Sequence, residues 1–103
     1  MISTTVIRSF EELEPCRPAW EDLARGMGAA RPFVSLDWLM TCARSGPHRL
    51  HPYVIVARNG PSILAIGPFA RLGMLPGRRR LVFLGMGPSD YQTVLAESTA
   101  VDA

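Results

Sequence analysis

The chain predicts an α/β fold of the α+β kind, a mixed, mainly antiparallel sheet with flanking helices. Three features of the sequence point to it. Two segments with helical apolar spacing come early, ahead of most of the β-like sequence. Three short apolar runs then follow one another with only turn signals between them, so neighbouring strands must run antiparallel. With 48% hydrophobic and 19% charged residues among 103, the chain is apolar enough to build a core and not polar enough to stay unfolded. One domain spanning residues 1–103 is expected, incomplete at its C-terminal end because its last element leads into no further strand.

The elements follow in order. Thr4–Arg8 is β-branched and reads as a first strand. Ser9 is placed to cap a helix that receives Glu11 and Glu12 in its first turn, where acidic groups meet the positive end of the helix dipole. Pro15 and Pro18 interrupt that helix, so a firm helix is expected only from Pro18 to Arg25, with Trp20, Leu23 and Ala24 on one face and Gly26 and Gly28 ending it. A second helix starts after Pro32-Phe33-Val34, capped by Ser35, with Leu36, Leu39, Met40 and Ala43 as its stripe. Trp38 and Cys42 widen that stripe, so the helix should be covered on more than one side. Tyr53–Ala57 and Ile63–Ile66 read as a hairpin across Asn59-Gly60-Pro61-Ser62. Both runs are apolar throughout, which predicts a sheet covered on both faces. Pro68 suggests an edge, a bulge or a strand end. Gly73 to Gly77 reads as a loop, Leu81–Leu84 as a third strand of the meander, and Ser89-Asp90 as the cap of a last helix with Tyr91, Val94 and Leu95 facing inward.

Composition excludes several classes. The longest apolar runs fall far short of the ~20 residues that a membrane span needs, so no membrane span is expected. All eleven basic residues are arginine, yet the net charge is only +2. The short run Arg78-Arg79-Arg80 is not interleaved with aromatics, so no nucleic-acid partner is expected. Cys16 and Cys42 are too few for a disulfide scaffold and read as buried thiols in helices. No apolar leader precedes Glu11, and the expected compartment is cytoplasmic. His48 and His51, in a proline-bounded loop, have no third ligand close in sequence, and no metal site is expected.

Element order and residues together resemble the N-terminal half of the GNAT-like acyltransferases of the cellulose and exopolysaccharide biosynthesis type, relatives of the Fem-type aminoacyltransferases. The residues that carry the resemblance are Trp20-Glu21-Asp22-Leu23, Pro32 through Leu39, Ile66-Gly67-Pro68-Phe69, and Leu81 to Gly85 followed by Asp90-Tyr91. It implies a splayed sheet with helices on both faces and acyl transfer from acyl-CoA to an amine or hydroxyl of a sugar or cell-envelope precursor. The superfamily's donor loop is spelled Arg/Gln-x-x-Gly-x-Gly/Ala. Arg25-Gly26-Met27-Gly28-Ala29-Ala30 matches its letters, but closes a helix instead of following a strand and opening one. The donor-binding core of the resembling family lies further along the chain. No acyl-CoA is therefore expected to bind these 103 residues alone.

Candidate chemistry is confined to a few residues. Asp90 and Tyr91 form the candidate catalytic pair, a carboxylate to take an acceptor proton and a phenol to act as acid; the plainer reading is a helix cap and a packing ring. Arg78, Arg79 and Arg80 are candidates to hold a phosphate or acidic glycan, because guanidinium forks pair with oxyanions, or else they form a solvated strand edge. Trp38 is a candidate wall for the acceptor, or a core aromatic. The expected partners are a small-molecule or glycan acceptor together with either a missing C-terminal half or a second copy of the chain. The alternative function is a non-catalytic binding or scaffold module that needs a partner chain.

Overall fold

The computed structural model describes residues 2–28, 31–45, 50–75, 78–84 and 94–96. Five strands form one sheet: β1 (Ile2–Ile7), β2 (Leu50–Asn59), β3 (Ser62–Leu75), β4 (Arg78–Phe83) and the short β5 (Leu95–Ala96). The order is β1-β2-β3-β4, every pair is antiparallel, and β5 joins β3 beyond the end of β4. Between β1 and β2 come a 3₁₀ helix (Glu11–Cys16), α1 (Arg17–Arg25), a one-turn helix α2 (Arg31–Val34) and α3 (Leu36–Ser45). The α+β class, with its mainly antiparallel sheet and flanking helices, is thus the observed one.

Local chemistry explains the helical layer. Ser9 Oγ accepts the Glu12 N–H at 3.2 Å, so the serine caps as expected. Pro15 lies within the 3₁₀ helix, and Pro18 opens α1, where its missing N–H costs nothing. Trp20, Leu23 and Ala24 on α1 and Leu36, Leu39, Met40 and Ala43 on α3 are buried together against Val54, Val56, Ile66, Ala70 and Leu72 of the sheet. The one-turn α2 was not expected from the sequence. It is stapled from α1: the buried Trp20 indole N–H donates to the Val34 carbonyl at 2.8 Å.

The sheet departs from expectation in several places. Gly60, at φ +60°, and Pro61 join β2 to β3 as a two-residue connection, with Asn59 paired to Ser62. Strand β3, however, runs straight through Pro68. The Pro68 carbonyl accepts the Leu84 N–H at 2.6 Å, and a residue in an antiparallel strand points its N–H and C=O to the same side. The absent N–H therefore faces the gap between β5, paired at Ala65 and Ile66, and β4, whose pairing starts at Phe69. Gly73, Met74 and Leu75 belong to β3, with a register irregularity at Gly73/Leu75, and are not a loop. Likewise His51 lies in β2, and Leu95, expected on a helix, pairs with Ile66 as a strand. Helical spacing is too weak a signal over so few residues to overrule an available strand edge. Val94, expected to face inward from that helix, is 42% exposed and lies in no helix or strand. Residues 89–93 of the expected helix, like His48, lie outside the described residues.

The sheet is also not covered alike on its two faces. Residues 50, 52, 54 and 56 of β2 are buried under the helices, whereas His51, Tyr53, Ile55 and Ala57 on the opposite face retain part of their exposure. Register places Val6, Ile55, Ala57, Ala65, Phe69, Leu81 and Phe83 on that second face. Continuous apolar runs marked both faces for burial, and the helices between β1 and β2 cover one.

Candidate functional site

The residues that carry the family resemblance bond chiefly to one another. Trp20 holds Val34, and Glu21 Oε1 on α1 accepts the Leu36 N–H at 3.1 Å, capping α3 from a neighbouring helix. Ser35 Oγ accepts the Trp38 N–H at 3.3 Å and completes that cap. Arg17 grips Glu14 bidentately, with both N···O distances 2.8 Å, and reaches Asp37 Oδ1 at 2.7 Å, tying the start of α1 to α3. Arg17 holds the exposed Glu14 carboxyl below its ordinary range. Trp-Glu and the serine before α3 are thus a clamp that sets the angle between α1 and α3.

Trp38 sits one turn into α3, half-buried and packed against the core. Its indole N–H is shielded from solvent and has no hydrogen-bond acceptor among the described residues. That donor is open to a partner oxygen, since leaving a buried N–H unpaired costs about 1–3 kcal/mol. Arg78, Arg79 and Arg80 do not precede the third strand of the meander: they are its first half, β4, paired with Leu75, Gly73 and Leu72. Among the described residues β4 pairs along this stretch with β3 alone. Trp38 and the arginines accordingly stand in different layers. Asp90 and Tyr91 lie outside the described residues.

Two amides of the donor-loop spelling at Arg25–Ala30 are engaged in closing α1. The Gly26 N–H donates to Leu23 O at 3.1 Å and the Met27 N–H to Ala24 O at 3.0 Å, closing α1. An anion-binding loop needs those groups free. Cys16 and Cys42 are buried and unpaired with each other, and burial pushes the Cys42 thiol up, away from the nucleophilic thiolate. Among the described residues no group of three His, Cys, Asp or Glu side chains could hold a metal ion. Nor is any described helix long and apolar enough to cross a membrane.

One cluster escaped the sequence reading. On the sheet face away from the helices, the Tyr53 ring lies between two arginines in sequence terms far apart: Arg8 Cζ is 5.3 Å from its centroid and Arg71 Cζ 5.8 Å. His51, exposed, is the cross-strand partner of Arg71. Beside them Phe69 and Phe83 pack at 5.1 Å between centroids, with Phe69 lying across Gly67. Only strand register brings these residues together, and no local spacing announces it.

Comparisons with protein-family models, with curated proteins and with solved structures find no match to this chain.

Proposed function

We propose that this chain forms the N-terminal portion of a GNAT-like acyltransferase and shapes the acceptor side of transfer from acyl-CoA to an amine or hydroxyl of a sugar or cell-envelope precursor. The observation that carries the reading is the half-covered sheet: helices on one face, and on the other a surface that includes Val6, Ile55, Phe69, Leu81 and Phe83. A sheet of this kind has helices on both faces, and the donor-binding part of the enzyme would pack on the second. The order of one strand, helices and then an antiparallel meander agrees with the same reading.

In this proposal the acceptor nitrogen or oxygen attacks the thioester carbonyl and the carbon–sulfur bond breaks. Asp90 takes the proton that the acceptor gives up, and Tyr91 returns one to the departing thiolate. Trp38 and the arginines Arg78, Arg79 and Arg80 bind the acceptor, and the reaction takes place in the cytoplasm. The 103 residues alone lack the donor site in this proposal, a reading supported by the engaged Gly26 and Met27 amides of the donor-loop spelling.

Calorimetric titration of the 103-residue chain with acetyl-CoA should show no binding tighter than inorganic pyrophosphate gives, and tighter stoichiometric binding would overturn this division of labour. The decisive assay follows labelled acetyl transfer to amino-sugar acceptors by the product of the uninterrupted reading frame. Activity lost in Asp90→Asn supports the enzyme. A frame that stops after Ala103, with no transfer, leaves the second reading, a non-catalytic module whose open sheet face takes a partner chain.

A further inference from the structure

We infer that Arg8, Tyr53 and Arg71 form a binding site for a phosphate or diphosphate group of a small soluble ligand, on the sheet face opposite the helices. This site does not depend on the acyltransferase reading.

Three observations converge on it. Both guanidinium groups stand within 6 Å of one tyrosine ring, Arg8 at 5.3 Å and Arg71 at 5.8 Å from its centroid. Such contacts orient a guanidinium by its face and leave its N–H edges free to bind oxygen. Among the described residues the Arg71 Nε–H, shielded from solvent, has no hydrogen-bond acceptor. A charged donor in that position is costly unless something accepts from it. Finally, no carboxylate answers this charge among the described residues: every described Asp and Glu lies between Glu11 and Asp37, in the helical stretch before β2. His51 stands opposite Arg71 across the β2–β3 ladder.

The chemistry of the occupant follows. Guanidinium groups bind phosphate oxygens in paired, charge-assisted hydrogen bonds. Two separate forks flanking one ring suit an anion with more than one charged centre, hence a diphosphate over a single carboxylate. The phenol and its ring supply a further hydroxyl and an apolar shelf for whatever the phosphate is esterified to.

The test uses inorganic pyrophosphate as probe, with NMR of the Tyr53 ring and calorimetry of the 103-residue chain at moderate salt. Saturable binding that shifts the Tyr53 ring signals is expected. Arg71→Gln and Arg8→Gln should each weaken it about tenfold or more, the scale set by losing charge-assisted hydrogen bonds. Arg25→Gln, on α1, should leave it unchanged. Arg8 is exposed just beyond the end of β1, so its variant keeps the test valid if Arg71→Gln fails to fold. Absent saturation, or equal weakening by Arg25→Gln, would overturn the site and reduce it to general charge attraction.

Discussion

At Trp20 a single indole does two jobs, filling the core with no exposed surface and donating to the Val34 carbonyl at 2.8 Å. Trp20→Phe keeps most of the ring and leaves that buried carbonyl without its donor. Urea unfolding should show a loss of about 1–3 kcal/mol. Gly67 is a residue where space decides: a Cβ there would come 2.4 Å from Phe69 Cε2. Gly67→Ala must therefore turn the Phe69 ring and disturb its packing on Phe83. A cost of about 1–3 kcal/mol is expected, with altered ring signals by NMR. Glu14 titrates below its ordinary value of 4.5 because Arg17 holds it, through hydrogen bonds and charge. A carboxylate with a lowered folded-state pKa contributes stability above its unfolded value, and loses it as pH falls through the folded one. An NMR titration should place the Glu14 midpoint below 4.5, returning to the ordinary range in Arg17→Met.

The elements are held by bonds that cross between them. Helix α3 begins where Glu21 of α1 accepts the Leu36 N–H, and Ser35 adds the local half of the cap. Glu21→Ala removes a cap and should destabilise by about 1 kcal/mol in thermal or urea unfolding, with early loss of α3 helicity. Glu21→Gln, which keeps an acceptor oxygen, should recover much of that. The helices were legible because their apolar stripes and caps are local, within a few residues of each other. The short α2 was not, since its anchor, Trp20, is 14 residues away. Pro68 left an edge, a bulge or a strand end open for a similar reason: whether a proline ends a strand depends on which side its missing N–H faces, and pairing with distant segments decides that. The Arg78–Arg80 run was visible as charge, but its place in an outer strand came from pairing with β3.

At the scale of the molecule, the two faces of the sheet behave differently. Leu81 is 52% exposed and Val6 38%, both on the face that the helices leave open. Exposed apolar surface of this kind promotes association. The purified chain should show concentration-dependent self-association by sedimentation, reduced in the double variant Val6→Ser, Leu81→Ser. A monodisperse wild-type monomer would contradict it. The candidate site splits along the same line. Trp38 belongs to the covered layer, the arginine cluster around Tyr53 to the open one, and sequence spacing links neither to the other.

Sequence alone determined the α+β class, the two main helices, the β2–β3 hairpin and the apolarity of both sheet faces. These rest on periodicity, capping and turn chemistry, which act over a few residues. Tertiary structure decided which face the helices cover, how Pro68 is tolerated, and that Arg8 and Arg71, 63 positions apart, meet on Tyr53. Strand register settles all three. It is fixed by hydrogen bonds and packing between distant segments, and a local pattern does not carry that information.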